Sequence, residues 1–157
     1  MDQAAVSQAV PNGNLTAILV GGFIAGAIDI SYAIVSSLSR VAPERILQSV
    51  ASGLLGRDAF EGGAPTALLG LFLHFAICTA IAAIFVSAAR ALPLLRQHLI
   101  AAGIVYGASV YFVMRWVVVP LSRFPGDLRT VHPLEIAVHA FGVGLVIALA
   151  ARRFGNL

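Results

Sequence analysis

A chain of 157 residues that is 59% hydrophobic and 11% charged cannot keep a soluble surface hydrated, since soluble domains carry roughly a quarter of their residues charged. Its formal charge is +3 and every basic side chain is an arginine, dispersed at the flanks of apolar runs. That pattern fits anchoring at a membrane edge and excludes a nucleic-acid-binding patch.

The first apolar run covers about residues 15–38, after the turn-rich Pro11-Asn12-Gly13-Asn14. Residues 1–14 contain Asp2 and no lysine or arginine, so the positive start of a cleaved signal is missing and the run is expected to stay as a mature helix. The link after it is patterned. From Pro43 to about Gly56, Ile46, Leu47, Val50, Ala51, Leu54 and Leu55 recur at helical spacing, with Arg45, Gln48, Ser49 and Ser52 opposite. This predicts a short amphipathic helix over 43–56 lying in the membrane interface, its serines toward water; a re-entrant element is the alternative.

The second span is expected at about 65–89, with Pro65 in its first turn, where a missing N–H costs nothing. Residues 90–97 read as a tight turn, making the second and third spans antiparallel neighbours. The third covers about 98–119, ended by Pro120; a loop with Pro125 and Gly126 comes next. The fourth covers about 133–151, opened by Pro133 and closed by Arg152-Arg153. Each run is long enough to cross about 30 Å of hydrocarbon. A β-barrel is excluded, because it needs alternating segments of about ten residues. The expected fold is an all-α membrane protein over 1–157, a single domain built as a four-transmembrane-helix bundle.

Four crossings put both termini and residues 90–97 on one side. Arg90, Arg96, Arg152 and Arg153 concentrate there in a short turn and tail, while acids dilute the arginines opposite. The positive-inside rule then makes that side cytoplasmic. An internal repeat also shows: Gly22-Phe23-Ile24-Ala25-Gly26-Ala27 resembles Gly103-Ile104-Val105-Tyr106-Gly107-Ala108.

Asp29, His74, Arg115, Glu135 and His139 fall within or near the spans, where ionisable groups are costly. Counted along the helices, all lie in the half of the membrane nearer the two longer links, whichever way the chain is inserted. Each shares a helix face with small residues: Gly22 and Gly26 with Asp29, Gly70 with His74, Gly103, Gly107 and Tyr111 with Arg115, and Gly142 with His139. Small residues mark close helix approach, so these groups are expected to point inward as one cluster of Asp29, His74, Tyr111, Arg115, Glu135 and His139.

Two chemistries fit such a cluster. In one, Asp29 exchanges a proton or binds a cation, the histidines relay protons and Arg115 holds an anionic group. In the other, the groups satisfy one another: Asp29 bonds His74 or Tyr111, Glu135 pairs with Arg115, and the network fixes helix order. Arg115 is also close enough to its helix end to snorkel. His74 and His139 could instead be axial ligands of a b-type haem, and Asp29, His74, Cys78 and His139 could hold zinc. The reading adopted has no cofactor and no metal. No catalytic motif is present: Gly53-Leu54-Leu55-Gly56-Arg57 lacks the P-loop lysine, and the serines lack a nucleophile elbow, so no enzyme is read. Expected partners are the lipid bilayer and a second copy or another membrane protein, docked on the Gly22/Gly26 or Gly103/Gly107 faces, without nucleic acid. Cys78 stands alone, which excludes an intrachain disulfide.

The segment from Arg45 through Gly56, continuing over Ala59-Phe60-Glu61-Gly62-Gly63, resembles one in small uncharacterised bacterial inner-membrane proteins. The histidine-bearing second and fourth spans, each followed by arginine, are distantly similar to the YagU-like family. The resemblance covers the four-helix plan and is most specific over 44–63. It implies a multi-pass protein of the bacterial inner (cytoplasmic) membrane, with no activity or catalytic residues attached.

Overall fold

The computed structural model describes residues 13–157; the reading of the N-terminal lead-in, Asp2 included, lies outside them. In chain order the helices are α1 (Gly13–Ser37), α2 (Pro43–Leu55), α3 (Gly63–Ala91), α4 (Pro93–Gln97), α5 (Leu99–Leu121) and α6 (Pro133–Phe154), with no strand among the described residues. At 1.5 Å per residue, α1, α3, α5 and α6 are each long enough to cross a bilayer, and each is apolar enough to do so. The chain is an all-α, four-span membrane bundle.

Several boundaries move. Gly13 and Asn14 belong to α1 instead of the turn before it. The expected tight turn at 90–97 is mostly the short helix α4. Pro120 does not end α5: the helix widens to a π-helical turn over Met114–Val118 and continues through the proline to Leu121. A proline breaks a helix only where it removes a needed bond, and here one more residue completes the final turn.

The bundle is sealed at one end and splayed at the other. Ala17, Phe85, Val86, Leu99, Ile147 and Ala151 are buried together at the end that carries residue 13, α4 and the C-terminus. Asn156 N–H donates to Asn14 Oδ1 at 2.9 Å, clasping the two ends of the described chain. Near mid-span the Tyr106 hydroxyl donates to the Ile81 carbonyl at 2.9 Å, joining α5 to α3. α3 and α5 otherwise pack little on each other, whereas α1 packs on α3 and α6, and α5 on α6.

Glycines set the closest approaches. A Cβ on Gly22 of α1 would stand 2.7 Å from Thr79 Cα of α3. A Cβ on Gly107 of α5 would collide with the His139 carbonyl oxygen and lie 2.7 Å from Gly144 N of α6. Apolar burial cannot drive helices together inside hydrocarbon, so such close packing is the main source of association. The repeated glycine pairs thus do the same work in both hairpins, fastening α1 to α3 and α5 to α6. They face neighbours within the chain and are not free for a partner helix.

The expected orientation of the short helix α2 is corrected. Its serine- and glutamine-bearing stripe does not face water: Gln48 is 3% exposed and Ser52 0%. Gln48 Nε2 donates to the Gly63 carbonyl at 3.1 Å and approaches Thr66 Oγ1 at 3.4 Å, while Leu54 turns outward. The α2 backbone reaches α3 at Gly70, where the Leu47 carbonyl occupies the space a side chain would need. In a membrane setting this arrangement is the economical one. A buried amide finds fixed partners on α3, and an outward leucine costs nothing against acyl chains. Gly56, at φ +68°, then ends α2 in a backbone conformation that favours glycine.

Gly107→Ala should lower the midpoint of thermal unfolding in detergent, at a cost of about 1–3 kcal/mol or more, because backbone atoms block the new methyl group. Gly53→Ala, whose nearest obstacle is Ser122 Cβ at 3.7 Å, should melt at or above the parent temperature. Equal midpoints for the two variants would refute the close-packing account.

Candidate functional site

The splayed end encloses a cavity of about 390 Å³ between α1, α2, α3, α5 and α6. All six side chains expected to cluster line it: Asp29, His74, Tyr111, Arg115, Glu135 and His139. Ser49 and Gly53 of α2 and Phe124 of the loop before α6 cover it. These two covering pieces are tied together, since Arg123 N–H donates to the Gly53 carbonyl at 2.9 Å. The cover was not foreseen from sequence, because it depends on α2 being docked on the bundle.

Arg115 and Glu135 pair, as their sequence positions led us to expect. The guanidinium also donates to the Leu128 carbonyl and reaches the Thr130 carbonyl at 3.3 Å. Its carbon lies 4.8 Å from the centroid of the Tyr111 ring, a cation–π distance. Arg115 therefore pairs across to α6 and holds the loop. The Tyr111 hydroxyl accepts a hydrogen bond from His132 N–H at 2.9 Å, so the same loop is fastened a second time.

The expected partners of Asp29 were His74 or Tyr111, and neither is found. His74, 8% exposed, lies with Nε2 2.9 Å from the Gly26 carbonyl. A carbonyl only accepts, so that nitrogen carries the hydrogen. The nearest basic atom to Asp29 is His139 Nδ1, at 3.7 Å from Oδ1. That nitrogen is 2.9 Å from the Glu135 carbonyl of its own helix, and by the same reasoning its hydrogen is given to that oxygen. The Asp29 carboxylate thus receives no hydrogen bond from any described residue and faces the cavity, with its side chain 22% exposed.

Two local features lie beyond what residue types announce. Arg115 sits in the π-helical turn Met114–Val118, and His139 in a second one, Val138–Gly144. A π turn inserts a residue, rotates the helix beyond it, and recurs at functional sites. In α6 the glycines at 142 and 144 are the one sequence feature that eases it; α5 offers no such sign. The alternative zinc set of Asp29, His74, Cys78 and His139 is not assembled: among the described residues no three His, Cys, Asp or Glu side chains converge as a metal would require. Both histidines present the nitrogens named above to backbone carbonyls, so an axial haem ligand would have to use the other ring nitrogen in each case.

No family model, curated protein or solved structure matches the chain.

Arg115→Gln should free the Leu128–Thr130 segment and raise the rate of tryptic cleavage after Arg129 in the detergent-solubilised protein. The bonds lost are charge-assisted ones, about 1.5–3 kcal/mol each when well made and less at partly exposed positions. A digestion rate equal to that of the parent would show that Arg115 does not hold the loop.

Proposed function

We propose that this is a multi-pass protein of the bacterial inner membrane, both termini cytoplasmic, whose cavity takes up a small solute or protons from the opposite side and passes or senses them. The observation that carries the reading is Asp29: a carboxylate within a membrane span, turned toward a cavity and given no hydrogen bond by any described residue. A group placed only to lock helices would have found a hydrogen-bond donor closer than His139 Nδ1 at 3.7 Å, because leaving a carboxylate without one away from water is costly. The orientation follows the arginines of the sealed end. With Phe85, Val86 and Ile147 packed beneath the cavity, passage through a single chain requires the sealed end to open, which fits an alternating cycle or an oligomer better than a standing pore.

A structural or accessory role draws less support, since the glycine faces that would receive a partner helix are occupied by the chain's own helices.

Proteoliposomes loaded with a pH-sensitive dye test the proposal. The parent should dissipate an imposed proton gradient faster than protein-free vesicles, and Asp29→Asn should return the rate to the protein-free level while keeping the parent's unfolding midpoint. Equal dissipation by both proteins would remove Asp29 from the pathway.

A further inference from the structure

We infer that the solute is a protonated organic amine of about the size of one substituted aromatic ring, bound through its N–H to the Asp29 carboxylate. The inference rests on the cavity being a solute site, and its ground is the set of hydrogen-bonding capacities that the cavity leaves unused.

The charged and imidazole donors, and most of the serine hydroxyls, are already engaged. Arg115 donates from Nη1 to the Leu128 and Thr130 carbonyls and from Nη2 to Glu135, which neutralises its charge. His74 gives Nε2–H to Gly26, and His139 gives Nδ1–H to Glu135. The hydroxyls of Ser36, Ser49 and Ser122 donate back to the carbonyls of Ala33, Ile46 and Val119 on their own helices. What remains in excess is acceptor capacity, and its one full charge is on Asp29. Glu135 is neutralised by Arg115, so the fixed charge without a strong partner is negative. An anion would meet no cation here that is not already paired, and a neutral acceptor would find only uncharged hydroxyls, those of Tyr32, Ser37 and Tyr111. A ligand that brings both a positive charge and an N–H completes the set.

The remainder of the wall decides between an inorganic and an organic cation. A bare metal ion needs several converging ligands, which the described residues do not supply. The cavity is instead walled by aliphatic side chains such as Ile77, Ile81, Val110 and Val143, which suit a hydrocarbon body. Its volume of about 390 Å³ lies near the lower end of the range for small-molecule sites, roughly 300–1,000 Å³. A charged N–H···O bond to a carboxylate away from bulk water is among the stronger single contacts a site can offer.

The full chain, reconstituted in zwitterionic nanodiscs, can be dialysed to equilibrium against empty discs with three probes at neutral pH. These are N,N-dimethylbenzylamine, its uncharged carbon analogue isobutylbenzene, and phenylacetate, which has a similar ring and the opposite charge. The amine should be retained by the protein in excess of empty discs, and more tightly than either other probe. Asp29→Asn should weaken amine binding on the order of tenfold to a hundredfold and leave isobutylbenzene unaffected. Asp29→Glu, which keeps the charge, should bind the amine more tightly than Asp29→Asn does. Isobutylbenzene or phenylacetate binding as well as the amine to the parent protein would overturn the choice of ligand class while leaving the cavity as a solute site; that comparison needs no variant to fold. Retention of none of the three would overturn the solute-site reading and this inference with it.

Discussion

The backbone contact between α5 and α6 is the constraint on which the site depends. Gly103 and Gly107 let α6 approach until Gly144 rests on the α5 backbone. That contact sets the register in which Arg115 meets Glu135 and the Tyr111 ring lies 5.4 Å from that of His139. The π-helical turns in both helices begin at or beyond the contact and rotate Arg115 and His139 with respect to an undisturbed helix. Had α5 and α6 been separated by ordinary side chains, the guanidinium would have had to reach farther for its carboxylate.

A second consequence concerns where the helices do not meet. Within each hairpin the glycine pair makes a tight joint, and α1 also lies along α6, but α3 and α5 share one mid-span hydrogen bond and otherwise pack little on each other. The space between them is roofed by α2 and the loop before α6 and becomes the cavity. Asp29 stands in the wall of that space, on the helix that packs mainly on α3 and α6. Its lack of a hydrogen-bond donor is thus a product of helix arrangement as much as of local chemistry.

The spans were legible because hydropathy and length are properties of a single segment, and the bilayer imposes one length on all of them. The level at which the polar groups gather was legible for the same reason: position along a helix converts directly into depth. Pairing was legible only where chemistry left little choice, as for Arg115 and Glu135. The Asp29 environment was not, because His74 and His139 are equivalent donors on paper, and backbone carbonyls that claim their hydrogens leave no trace in the residue pattern. The helix α2 misled for a different reason. Its amphipathic stripe was read as if its polar side must meet water, whereas inside a membrane protein the polar side seeks the interior and Leu54 the lipid. Gln48 could have raised this alternative, being a long amide opposite Thr66 across a short linker.

The uneven packing along the bundle axis gives the two lipid leaflets different leverage over the molecule. At the end built on Phe85, Val86 and Ile147, side chains already touch and squeezing from outside does little work. Around the end that holds the void, crowding by acyl chains presses helices into unfilled volume and narrows it, and a loosely packed leaflet lets it widen.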